Sequence, residues 1–249
     1  DEYDSSAEFV EALRVMHVNL KMGRDSQPVE VVTISSAAPG DGKSTLALNW
    51  AMTAVSMNQR VLLIDAALRA PQIHHALNLD NEVGLSNLLI SESLQPAEGI
   101  QQIQPDGKLY AVTAGSAAVE NPAGLFSSPK MNSLLSYYRK SFDLVIIDAP
   151  TMSGLADTTV VNRYTDGLIL VVKLDQTNKN LLQETIENFY VQNTNVLGIV
   201  VNGHKGHNLA LYEATAGANF DFEAPPVPIS ENEGASNETI PKQPVERSA

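Results

Sequence analysis

The chain has 249 residues, of which 43% are apolar, and it contains no cysteine. That length suits one large domain or one domain with tails, the apolar share excludes wholesale disorder, and the missing thiols exclude disulfides, thiolate metal sites and cysteine nucleophiles. The net charge of −13 sits mostly at the ends: residues 1–8 hold four acids and no base, and residues 212–249 hold seven acids against Lys242 and Arg247, leaving −4 between. A body so near neutral lacks the basic face that sequence-independent DNA binding needs, and no nucleic-acid partner is expected. Apolar runs such as 168–172 fall far below the roughly 18–20 residues of a membrane span. With no basic-then-apolar leader after Asp1, the chain reads as soluble, or as the soluble part of something longer.

In chain order, the first element is an amphipathic helix over residues 6–21. Short β-rich apolar runs follow at 29–35, 61–65, 109–113, 144–148, 168–173 and 196–202. Helical patterns at 44–57, 86–90, 129–138 and 180–191 alternate with them, and Trp50 belongs to the core. Several runs are apolar on both faces, which suits strands buried in a parallel sheet. The alternation predicts an α/β fold, a doubly wound and mostly parallel sheet with helices on both faces. From Thr215 onward the composition turns to Ala, Gly, Pro, Asn, Ser and Glu, too poor in apolar surface to offset ordering entropy. Three segments follow: an N-terminal helix over 1–22, the α/β domain over 23–211, and an acidic, Pro-containing disordered tail over 212–249.

Directly after the first run comes Ser36-Ala37-Ala38-Pro39-Gly40-Asp41-Gly42-Lys43-Ser44-Thr45. A strand, a Gly-rich turn, Lys-Ser and a helix is the context of a phosphate-binding loop. Gly40 and Gly42 let the backbone curl so that amides face phosphate oxygens, and the helix adds its positive end. Lys43 would reach the β- and γ-phosphates of ATP, and the Ser44 hydroxyl would join a Mg²⁺ shell. Pro39, Gly40, Asp41, Gly42, Lys43, Ser44 and Thr45 are therefore candidate nucleotide contacts. The first glycine of the usual motif is replaced by Ala37. Asp65 and Asp148 each close an apolar run, where they would hold the metal with Ser44 and serve catalysis with Lys43. An acid at a strand end can also be a helix cap, but two of them downstream of one phosphate loop point to the metal. His74-His75 and the His204/His207 pair lack the carboxylate or thiolate company of a metal site and read as surface histidines.

These motifs resemble the bacterial tyrosine kinases of capsule and exopolysaccharide synthesis, relatives of the Min/Par partition ATPases, over about residues 8–205. The run Val61-Leu62-Leu63-Ile64-Asp65-Ala66-Ala67-Leu68-Arg69-Ala70-Pro71 is close to the family's "VLLIDADLRRP". Gly84-Leu85-Ser86-Asn87-Leu88-Leu89 resembles "GLSDLL", and Asn121-Pro122 with Leu125-Phe126-Ser127-Ser128 resembles "NPxELLxS". Phe142 to Pro150 resembles "FDxVIIDTPP", with Asp157 at the position of a following Asp. Gly198-Ile199-Val200-Val201-Asn202 is similar to "GVVLN", whose Asn lies near the nucleotide base. In the first helix, residues 11–20 resemble "EAFRxLRTNL", the segment that packs neighbouring subunits into a ring, which makes Glu11, Arg14 and His17 interface candidates.

The resemblance implies an ATP- and Mg²⁺-dependent protein-tyrosine autokinase that regulates polysaccharide polymerisation and export. It implies a homo-oligomer, an inner-membrane polysaccharide copolymerase as partner in cis or in trans, and a cytoplasmic position at the inner face of the plasma membrane. Four departures qualify it. Ala67 stands where the family has a second Asp that assists metal and hydroxyl activation. His17 replaces an interface Arg, so that mild acid, by charging it, would favour association. Gly124 replaces a Glu. The family's terminal tyrosine cluster is reduced to Tyr212, the one tyrosine beyond residue 190 and the candidate phosphoacceptor. A degenerate, non-kinase nucleotide switch is the alternative reading. A partition-type ATPase would carry a Lys early in the phosphate loop, where this chain has Ala37-Ala38-Pro39.

Overall fold

The computed structural model describes residues 5–22, 28–103, 107–152 and 156–203. They all belong to one compact unit, Asp1–His204. The expected tail over 212–249, Tyr212, His204 and His207 lie outside the described residues.

The elements run α1 (Ser5–Met22), β1 (Val31–Ser36), α2 (Lys43–Ser56), β2 (Val61–Asp65), α3 (Ile73–Leu77), α4 (Leu85–Ile90), β3 (Gln101–Gln102), β4 (Leu109–Val112), α5 (Pro122–Phe126), α6 (Pro129–Ser141), β5 (Leu144–Asp148), α7 (Asp157–Asn162), β6 (Gly167–Lys173), α8 (Lys179–Val191) and β7 (Val196–Asn202). The strands form one sheet in the order β3-β4-β2-β5-β1-β6-β7. Every pairing is parallel except β3 with β4. This is the doubly wound architecture of P-loop NTPases, with β1 near the middle.

Each central strand feeds two cores, because alternate side chains leave opposite faces. Val145 and Ile147 of β5 pack under α4, α5, α6 and α7 with Leu88, Phe126, Leu135 and Val161. Leu144 and Ile146 of the same strand face α1 and α2, among Leu13, Leu46 and Trp50. At the other end of the sheet, Leu168, Leu170 and Val172 of β6 pack against Phe189 of α8. The start of β1 is pinned electrostatically. Asp166 accepts the Glu30 and Val31 N–H groups at 2.7 and 2.8 Å while Arg139 grips it with both guanidinium arms.

Two kinds of element escaped the sequence reading. The two-residue β3 carries no apolar run, and the five- and six-residue helices α3, α5 and α7 are too short to show periodicity. Their ends are set by specific contacts instead: Asn121 caps α5 by accepting the Gly124 N–H at 3.0 Å, with Pro122 in the first turn.

His17 departs from its expected role. It is 2% exposed, and its Nδ1 accepts the Trp50 indole N–H at 3.2 Å, joining α1 to α2. Glu11 and Arg14 do lie on the outer face of α1, paired with each other at 3.2 Å. The ring at 17 faces inward, so it is a core acceptor and not a surface charge. Burial first, and the neighbouring Lys21 charge second, hold its pKa below the usual 6.5. A base with a lowered native pKa stabilises the fold above its unfolded value; that stability is lost as pH falls through the native one. Charging His17 is therefore expected to cost stability and to remove the acceptor for the Trp50 N–H, against the expectation that it would strengthen contacts between copies. Trp50 is the single tryptophan of the chain and reports on this directly. The stability advantage of the wild-type chain over His17→Gln is expected to shrink as the pH is lowered from about 8 to about 5, with a change in Trp50 fluorescence, because only the histidine gains a charge there. His17→Arg is expected to cost about 2–4 kcal/mol, because it buries a charge beside the Lys21 ammonium. Denaturant titration followed by fluorescence checks both.

Candidate functional site

The C-terminal ends of β1, β2 and β5 converge on one edge of the sheet, and the sequence-predicted residues meet there. Strand β1 pairs with β5 through Ile34 and Asp148, and β2 with β5 through Asp65 and Asp148. The chain leaves β1 into residues 37–42 and enters α2 at Lys43. Gly40 has φ +85° and Gly42 φ +102°, the left-handed region that side chains disfavour. Gly42 has a second reason to lack a side chain: a Cβ there would run into the Asn202 side-chain amide that bonds the loop. Ala37, the departure from the usual glycine, has no positive φ, and its methyl is buried beneath α8 with Leu170 and Phe189. A glycine is not required at that position because the residue faces the core.

The first intrahelical bond of α2 runs from the Leu46 N–H to the Gly42 carbonyl at 2.8 Å. The N–H groups of Lys43, Ser44 and Thr45 precede it and are the free donors of a helix N-terminus. Pro39, Gly40 and Thr45 are exposed at the rim, and the Lys43 ammonium donates to Ser44 Oγ at 3.3 Å. Asn202, at the end of β7, donates its amide to the Asp41 carbonyl at 2.9 Å. The structure thus gathers Pro39 to Thr45, Asp148 and Asn202 into one cradle.

The two strand-end aspartates have parted ways. Asp65 is fully buried, and its oxygens accept three backbone N–H groups: Ala67 at 3.1 Å, Gln72 at 3.0 Å and Ile73 at 3.0 Å. It closes the loop after β2 and caps α3, the role that the sequence reading set aside. Burial raises its pKa, and the three N–H donors and Lys43 oppose the rise. The expectation that Asp65 ligates metal is weakened accordingly, since three of the roughly four acceptor sites of its carboxylate are committed to backbone. Asp148 is as deeply buried, yet neither of its oxygens is held in a hydrogen bond of full geometry. Burial pushes its pKa up to about 7, against the pull of the Lys43 charge and the adjacent Ser44 hydroxyl, with Asp65 adding to the rise. An orphaned buried carboxylate beside a hydroxyl and an ammonium fits a hard divalent cation, which needs oxygen donors and few protein ligands when phosphates supply the rest.

Two further residues stand at this edge. Arg69 reaches across to Asp157 at 2.9 Å, tying the loop after β2 to α7. Thr177 contacts the phosphate loop from the turn after β6. Asp157 was visible in the sequence as a position; its pairing with Arg69 and the role of Thr177 were not, because partners 88 and 136 residues apart leave no local spacing signal. His74 and His75 form a tilted ring pair with centroids 3.8 Å apart, and no cluster of metal-ligating side chains occurs among the described residues.

Comparison with known proteins places this edge in context. The ParA family model, described as a NUBPL iron-transfer P-loop NTPase, matches residues 28–210. The tyrosine-protein kinase YwqD of Bacillus subtilis (strain 168) is 34% identical over 195 residues, covering 78% of this chain and 81% of that one. The succinoglycan biosynthesis transport protein ExoP of Rhizobium meliloti (strain 1021) is 31% identical over 190 residues, which are 76% of this chain but 24% of that protein. Among solved structures, the kinase domain of Escherichia coli tyrosine kinase ETK superimposes with a TM-score of 0.71 at 25% identity, covering 80% of this chain and 79% of that one.

The orphaned carboxylate makes a stability prediction that is separate from any ligand. Between the unfolded pKa near 4 and about 7 the native state holds the extra proton, so Asp148 costs stability as pH rises through that window. Asp148→Asn is expected to stabilise the nucleotide-free protein by about 1–3 kcal/mol at pH ~8 and to make little difference at pH ~4. Thermal unfolding at the two pH values checks the sign.

Proposed function

We propose, for a chain that belongs to the bacterial tyrosine kinases within the ParA-type P-loop ATPases, a nucleotide-driven protein-tyrosine autokinase with a weakened transfer step, acting in exopolysaccharide or capsule polymerisation and export. The observation that carries it is the unpaired Asp148 carboxylate beside Lys43 and Ser44 at the mouth of the phosphate loop. The loop and the first turn of α2 bind the ATP phosphates through backbone N–H groups, and Lys43 places its charge on the β- and γ-phosphates. Mg²⁺ would be held by Ser44 and Asp148 and, when bound, supplies charge neutralisation at the transferred group. Asp65 acts one step back, fixing the loop that leads from β2 to α3.

Ala67 explains why transfer should be slow. It is 6% exposed, and its N–H is used by Asp65, so the position carries no group to assist the metal or the tyrosine hydroxyl. Phosphoryl transfer depends on positioning and charge stabilisation, and losing one such participant costs on the order of 10²–10⁴-fold while sparing ground-state binding. The same observation supports the second reading, a nucleotide switch that regulates the machinery without phosphorylating tyrosine. Glu11 and Arg14 on the outer face of α1 are the proposed contacts between copies. The proposed partner is an inner-membrane polysaccharide copolymerase, with the chain at the cytoplasmic face. No helix among the described residues is long and apolar enough to cross a membrane.

MgATP and MgADP are expected to bind, and Lys43→Met to abolish or severely weaken that binding; equal affinity by calorimetry would remove the reading. With labelled ATP, feeble phosphotyrosine is expected, with the tail's share lost in Tyr212→Phe. Ala67→Asp should raise transfer about tenfold or more while leaving nucleotide affinity nearly unchanged. No gain, even with a tyrosine-rich acceptor peptide, would favour the switch.

A further inference from the structure

We propose that Thr177 is a positioning residue for the phosphate loop, acting through the side chain of Asp41; the proposal rests on the nucleotide-binding reading above. Asp41 lies inside the loop, between the two glycines of positive φ, yet it is only 2% exposed. A buried carboxylate must be matched by donors. Two are present. Oδ2 accepts the Ala38 N–H at 2.8 Å, across the mouth of the loop, and Oδ1 accepts the Thr177 hydroxyl at 2.9 Å.

The direction of the Thr177 bond is dictated by its surroundings. The same oxygen accepts the Lys173 N–H at 2.7 Å, and the Thr177 N–H returns to the Lys173 carbonyl at 2.9 Å. The hydroxyl has one proton, and Asp41 Oδ1 is the acceptor it meets. Behind it, the turn from Lys173 to Thr177 is held at a second point, where the Leu174 N–H donates to the Asn202 carbonyl at 2.9 Å. Asn202 completes the circuit by donating its side-chain amide to the Asp41 carbonyl at 2.9 Å. Side chain and main chain of one loop residue are therefore fastened to the ends of β6 and β7, which are neighbours in the sheet.

The consequence falls on the loop and not on the ligand directly. Asp41 is held between Gly40 and Gly42, so fastening it restricts the two residues whose φ values shape the cradle. A loop already fastened loses less freedom when phosphate binds, and binding is tighter for that reason. Asn202 alone cannot supply this, because it grips the main-chain carbonyl and leaves the carboxylate with one donor.

Calorimetric titration of MgADP into the wild-type chain, Thr177→Val and Thr177→Ser tests the proposal, with thermal unfolding of each nucleotide-free protein measured alongside. Valine keeps the shape and removes the hydroxyl, and serine keeps the hydroxyl. The expected result is about tenfold weaker MgADP binding in Thr177→Val and near-wild-type binding in Thr177→Ser. A Thr177→Val protein that unfolds earlier but binds MgADP as tightly as wild type would reduce Thr177 to a structural residue and overturn the proposal. Equal weakening in the serine variant would overturn it too, because the hydroxyl would then not be the cause. If Thr177→Val does not fold, Thr177→Cys, whose thiol is a weak donor, is read by the same two outcomes. A wild-type chain that fails to bind MgADP would bring down the nucleotide-binding reading itself, which separates the two failures.

Discussion

Strand β1 lies between β5 and β6, hydrogen-bonded on both sides and buried on both faces, and the site depends on that enclosure. A strand so held cannot shift register without breaking its parallel ladders and pulling Val32 and Ile34 out of the core they share with Leu46 and Trp50. Its first residues are clamped by Asp166 and Arg139, and its last side chain, Ser36, bonds the Ala38 carbonyl at 2.8 Å. The point where the chain leaves the sheet is therefore fixed. The turn that follows must bend sharply into α2 while Asp148 arrives alongside from β5. Any ligand at this edge meets backbone donors, an ammonium and an unpaired carboxylate held by a rigid support.

The two strand-end acids show how the same residue type in register positions diverges by environment. Asp65 is held by three backbone N–H groups and works as a structural clamp. Asp148 has no such partners, and burial drives its pKa to about 7, near the point where a cation or a proton decides its charge. The clasp on Asp41 is the contrasting case, a buried carboxylate whose donors come from the protein itself.

Much of this was legible in the residues. The runs ending at Asp65, Asp148 and Asn202 are apolar on both faces, and their strands end where the pattern does. The phosphate loop announced itself through Gly40, Gly42, Lys43 and Ser44, whose roles follow from local geometry. What stayed hidden was decided by contacts between distant segments. His17 looked like a surface substitution because helix periodicity alone does not reveal that Trp50, 33 residues on, supplies a donor. Asp65 looked like a second metal ligand because the backbone donors at Ala67, Gln72 and Ile73 exist only once the loop folds back. Ala37 looked like a defect in the motif, and its burial under α8 makes it a packing residue. Thr177 carried no signal at all.

The division of labour between Asp65 and Asp148 is the central claim, and a crystal structure of the chain with Mg²⁺ and ADP tests it most directly. The account predicts phosphates against the N–H groups of the phosphate loop and the first turn of α2, metal on Ser44 and on Asp148 directly or through water, and Asp65 still bonded to Ala67, Gln72 and Ile73. Metal ligated by Asp65, with those three backbone bonds broken, would contradict it.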